Sequence, residues 1–147
     1  MIKRKRIIMA KHFDIMTVWK EGMVFENHIR QHVVLSDALP ELGQDSAPGP
    51  KELVLSGLAS CTGMDVISLL RKMRVDFTGL EIRIETQLTE EHPRVFDEIN
   101  MKYIVSGKDL DKAKVEKAIT LSYDKYCGVS AMLKKNGPIT YSIEYAE

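Results

Sequence analysis

Cys61 and Cys127, the two cysteines of this 147-residue chain, are the side chains best equipped for chemistry. A thiol reacts as its thiolate, so a working cysteine needs a pKa brought down from about 8.5. Two cysteines are too few for a disulfide scaffold, and a chain of this length buries a core without one. They are therefore either buried hydrophobes or working thiols. Local sequence does not activate Cys61. It stands about ten residues into a helical run, beyond the first turn where the helix dipole acts. Asp65 follows one turn later, only about 40° around the axis. A carboxylate there opposes a thiolate, so an activating cation must come from another part of the fold. Asp65 also reads as a buried, hydrogen-bonded structural group.

Other chemistries find less support. His12, His28, His32 and His92 show no paired ligand spacing, so no metal is expected, with a Cys61–His32 pairing as the remaining alternative. Neither a phosphate-binding glycine loop nor a nucleophile elbow is present, and no cofactor is expected. Met64, Met73, Met101 and Met132 read as core filling. Lys plus Arg (21) balance Asp plus Glu (21), so overall charge recruits neither nucleic acid nor an anionic membrane. Residues 1–11 read as a flexible basic extension without the apolar run of a secretory signal, and 12–147 as one domain. Reduced thiols without an export signal give a cytoplasmic expectation.

The elements that must position the thiols form an α+β pattern. Segments 13–19 and 23–27 flank a turn at Lys20-Glu21-Gly22, and 31–35 adds a third strand. In 80–88, Leu80, Ile82, Ile84 and Leu88 alternate with Glu81, Arg83, Glu85 and Gln87, as in an antiparallel sheet with one wet face. Strands follow at 95–105 and 139–145. Residues 109–126 carry Val115, Ala118, Ile119, Ser122 and Tyr126 at helical spacing, and 129–135 adds a short helix. The 37–50 stretch, with three of the five prolines, is either a linker or a loop over a site. The helix at 51–73 is apolar or small on every side from Leu53 to Leu70, broken only by Asp65. Such a helix lies in a bilayer or a protein centre. Asp65 and the small residues Ser56, Gly57, Ala59, Ser60 and Gly63 favour the centre of a dimer. Leaving 300 Å² of it in water would forgo roughly 7 kcal/mol of burial at about 25 cal/mol per Å².

Two motifs in this order resemble the OsmC/Ohr family. The first is Pro50-Lys51-Glu52-Leu53 running to Ala59-Ser60-Cys61-Thr62. The second is Tyr126-Cys127-Gly128-Val129-Ser130-Ala131-Met132-Leu133. The resemblance covers about residues 12–146. It implies an intertwined homodimer, with antiparallel sheets wrapped around two long central helices. It also implies reduction of organic hydroperoxides. Cys61 would attack the peroxide, Cys127 would resolve the sulfenic acid to a disulfide, and a dithiol, lipoyl-linked in studied relatives, would restore both thiols.

The chain departs from that pattern at the activating charges. Lys51 stands where the family's peroxidases carry a glutamate, and no arginine stands near Gly22-Met23, the place of the family's arginine. Glu52 is the neighbouring substitute, also readable as a carboxylate favouring the helix dipole. Nine residues before Cys61 places it on the opposite helix face and about 13 Å along the axis, so it reaches a partner's site more readily than its own. Arg30 is the only arginine between Arg6 and Arg71 and the candidate activator, also readable as a solvated strand charge; Lys20 and Lys51 lack its fixed fork. Two functions remain open. One is a thiol peroxidase using Cys61, Cys127, Arg30 and Glu52. The other is a redox-sensing or apolar-ligand-binding dimer without turnover.

Overall fold

In the computed structural model, residues 11–147 are described, so the expected 1–11 extension lies, Lys11 apart, outside the described residues. The chain divides into two compact units, one ending at Glu52 and one spanning Leu53–Glu147.

The N-terminal unit is an antiparallel meander of β1 (Ile15–Glu21), β2 (Val24–Ile29) and β3 (His32–Ser36). The first turn falls at Gly22-Met23, not Lys20–Gly22, because a register shift between Trp19 and Glu21 carries the strand further. Gly22 takes φ +52°, which a residue without Cβ adopts at no steric cost. The second turn is only Arg30-Gln31, since Ile29 already faces His32. Arg30 holds φ +57°, a left-handed conformation that strains a side-chain-bearing residue. The 37–50 loop closes on one carboxylate. Asp37 accepts from the N–H groups of Ala38 (2.7 Å), Gln44 (3.3 Å) and Ser46 (3.0 Å) and from the Ser46 hydroxyl (2.7 Å). Those bonds, led by the Ser46 hydroxyl, hold the Asp37 carboxyl down at about 2.

Helix α1 (Pro50–Lys72) starts where the motif places it. Pro50 fits a first turn whose N–H groups have no helical partners, and the Glu52 carboxylate accepts the Gly49 N–H at 2.6 Å. By length and composition α1 is apolar enough to cross a membrane. Within the chain it buries one stripe at four-residue spacing: Leu58, Thr62, Val66 and Leu70.

In the C-terminal unit that stripe packs with Met101, Tyr103 and Val105 of the sheet and with Val115, Ala118 and Ile119 of a second helix. The sheet order is β4 (Gly79–Leu88), β5 (Phe96–Ser106), β6 (Ile139–Ala146). A Cβ added at Gly63 would come within 3.3 Å of the Ile82 side chain, so a larger residue there would press on the sheet.

The structure corrects three sequence expectations here. Strand β6 pairs parallel to β5, so this sheet is mixed rather than antiparallel. The helices between the two strands form the crossover that a parallel pairing requires. A register shift between Thr86 and Leu88 breaks the alternation, leaving Leu88 42% exposed rather than inward. The expected 109–126 helix is α-helical only over α2 (Lys112–Leu121) and widens into a π-turn at Ser122–Tyr126 before α3 (Gly128–Lys134).

Candidate dithiol site

The two thiols meet. Cys61 Sγ, Cys127 Sγ and an Asp65 carboxylate oxygen all lie within 4.8 Å of one another. Both cysteines are free. Cys61 sits half-buried on α1 beside the buried Thr62, while Cys127 is only 3% exposed.

Cys127 is fixed by its own backbone. Its N–H donates to the Ser122 carbonyl at 2.9 Å, the wide bond that defines the π-turn. The next residues begin α3, and Cys127 is its N-cap, with Sγ accepting the Ser130 N–H at 3.3 Å. A serine or aspartate oxygen usually fills that role; here a sulfur does. Burial is the largest influence on the thiol and pushes it up to about 11. The Ser130 N–H opposes the rise, and the neighbouring Cys61 and Asp65 add to it. Cys127 is therefore a neutral thiol at pH 7.

Asp65 is held from behind by a line of hydroxyls. Ser122 Oγ donates to Asp65 Oδ2 at 3.0 Å. Having given its proton to the carboxylate, Ser122 accepts from Thr62 Oγ1 (2.9 Å), which in turn accepts from Tyr103 OH (2.7 Å). Proton donation thus runs one way, Tyr103 to Thr62 to Ser122 to Asp65, and each bond polarises the next. Thr62, Ser122 and Tyr103 are all buried, and burial pushes the Tyr103 phenol up to about 12. The sequence reading missed these three as site residues. Their signal was there: small hydroxyls at Thr62 and Ser122 on otherwise apolar helix faces.

Two thiols this close can close to a disulfide, whose sulfurs bond at about 2.05 Å. The half-buried Cys61 is the sulfur a solute reaches; the buried Cys127 is the one that completes the bond.

The remaining sequence candidates belong to the N-terminal unit. Arg30 shares a surface hollow with His12, Asp14, Met16 and His28. Glu52 is engaged with the Gly49 N–H. His32 is exposed on β3.

Comparison with known proteins places this architecture. The chain is 40% identical over 127 residues to protein YhfA of Escherichia coli K12, covering 86% of this chain and 92% of YhfA. An OsmC-like protein from Mycoplasma pneumoniae superposes with a TM-score of 0.82 at 18% identity, covering 95% of this chain and all of that one. The organic hydroperoxide resistance protein OhrB of Bacillus subtilis superposes at 0.63 and 20% identity, covering 90% and 98%. At those two identities the likeness is one of fold. The OsmC-like protein family itself matches residues 43–142, a span holding both cysteines and most of the elements that bring them together. With its paired thiols on that shared frame, the chain belongs to the OsmC-like family.

Proposed function

We propose that this protein is a thiol-dependent peroxidase for organic hydroperoxides, cycling Cys61 and Cys127 between dithiol and disulfide. The observation that carries the reading is the approach of the two sulfurs within 4.8 Å, one half-buried and one fully buried. Cys61 attacks the outer peroxide oxygen, the O–O bond breaks, and the alcohol leaves after taking a proton. The resulting sulfenic acid condenses with the Cys127 thiol, forming the disulfide and releasing water. An external dithiol, itself oxidised to a disulfide, returns both thiols. The fold relative named for organic hydroperoxide resistance supports the substrate class.

Arg30 is our candidate for the charge that activates Cys61, with Glu52 as its acidic companion. The strained turn at Arg30 supports a functional reason for keeping a side chain at that position. A homodimer is part of the proposal. Alongside α1 a groove of about 930 Å³ is lined by Met64, Ile67, Phe77, Leu80 and Ile82, and Met64 is 73% exposed. A second copy covering it would recover apolar burial. We assign the working protein to a reducing, cytoplasmic setting.

The test mixes purified protein with cumene hydroperoxide or hydrogen peroxide and dihydrolipoamide. Consumption of the organic peroxide well above a Cys61→Ser control is expected. Equal rates would overturn the reading. The same groove also favours a second reading, a redox-sensing or apolar-ligand-binding dimer without turnover. Mass spectrometry of the purified protein separates the two: a retained apolar ligand and a single oxidation per thiol pair would favour it.

A further inference from the structure

The dithiol site has a third member that disulfide chemistry does not use. We propose that Cys61, Cys127 and Asp65 together form a binding site for a thiophilic divalent cation of the zinc type. Three potential ligand atoms already lie within 4.8 Å of one another. Around a tetrahedral ion with metal–sulfur bonds of about 2.3 Å and metal–oxygen bonds of about 2.0 Å, ligand atoms stand roughly 3.3–3.8 Å apart. The set needs to tighten only modestly.

Two sulfurs select a soft or borderline ion over magnesium or calcium, which take oxygen. Asp65 is prepared for the part. Ser122 holds Oδ2 at 3.0 Å, and the Tyr103–Thr62–Ser122 line anchors that contact in the core. Metal-binding carboxylates are typically oriented by such a rear hydrogen bond. Asp65 and Cys61 are both only half-buried, which gives an ion a way in and leaves a fourth position for water or a small ligand. The cation displaces the thiol protons as it binds. The sequence expectation of no metal rested on histidine spacing, which does not see a ligand set built from two distant cysteines.

The inference concerns the atoms of the proposed peroxidase but does not rest on turnover. The cation needs both thiols reduced, and the disulfide excludes it.

The test uses the full chain, reduced and free of oxygen and metal. Zn²⁺ is titrated in competition with a chromophoric chelator, and Cd²⁺ is followed by its thiolate charge-transfer absorption. One ion per chain is expected, with both thiols shielded from iodoacetamide. Asp65→Asn should weaken binding about tenfold or more, by analogy with losses at metal-site carboxylates. Cys61→Ser should remove the charge-transfer band typical of two thiolates. Wild-type protein oxidised with diamide should bind no ion, a control free of any folding defect. Unshielded thiols, unchanged affinity in a folded Asp65→Asn variant, or equal binding by oxidised protein would each overturn the site. Peroxide turnover in metal-free buffer judges the peroxidase reading separately.

Discussion

The Ser130 N–H points at the Cys127 sulfur from 3.3 Å, so the thiol that completes the proposed disulfide also starts helix α3. Removing the side chain should therefore cost stability as well as chemistry. Cys127→Ala is expected to lose about 1–2 kcal/mol in urea unfolding, through the lost cap and the lost packing. Cys127→Ser, whose oxygen also caps, should recover part of that while remaining unable to form the disulfide. Equal stability of the alanine and serine variants would show that the cap contributes nothing.

The same thiol gives a pH signature. Its folded pKa is raised to about 11, so the native state keeps a proton that the unfolded chain loses near 8.5–9. The associated stability is full below pH 8 and is lost as the pH climbs toward 11. The melting temperature should fall across that interval, more gently in Cys127→Ser. Tyr103, raised to about 12, continues the decline at still higher pH.

Asp37 predicts the opposite limb. Its carboxyl is held at about 2, below the usual 3.8, so its stabilisation is present above pH 4 and is lost as the pH falls toward 2. In Asp37→Asn the 37–49 loop should exchange its amide hydrogens faster at neutral pH. The variant should also show a shallower acid decline than the wild type. Unchanged exchange at Gln44 and Ser46 would argue against the clasp.

Thr62 ties α1 to the sheet through Tyr103 and to the π-turn through Ser122. Thr62→Val keeps the shape and strands the Tyr103 hydroxyl. A loss of about 1–3 kcal/mol in thermal or urea unfolding is expected.

Gly57 tests assembly. The close contact expected there is not made within the chain, where a Cβ at Gly57 would meet nothing within 4 Å. Gly57→Leu should therefore spare the folding of a single chain and weaken self-association, read by sedimentation equilibrium. Unaltered association would place Gly57 outside the interface.

Much of this was legible before any coordinates. The all-apolar run marked α1, and the alternation at Leu80, Ile82 and Ile84 marked β4, because both patterns repeat over enough residues to fix a period. The shift near Leu88 and the parallel return of β6 were not legible, since a single inserted residue and a strand's direction leave no mark on composition. Cys61 and Cys127 were found from their motifs. Asp65 was seen only as an unfavourable neighbour of Cys61, because the hydroxyls that restrain it come from residues 57 and more positions away. Spacing along one helix shows which groups share a face. It does not show what packs against that face.

The π-turn at Ser122–Tyr126 sets a rule for how this protein can vary. It holds one residue more per turn than regular winding, and Cys127 stands at its end. Deleting any single residue there would let the segment rewind as ordinary helix and swing everything after it by about 100°. The loops elsewhere can gain or lose residues without disturbing the thiol pair. In this segment an insertion or deletion would separate the sulfurs with both cysteines still in the sequence, so a relative could carry the two motifs and lack the chemistry.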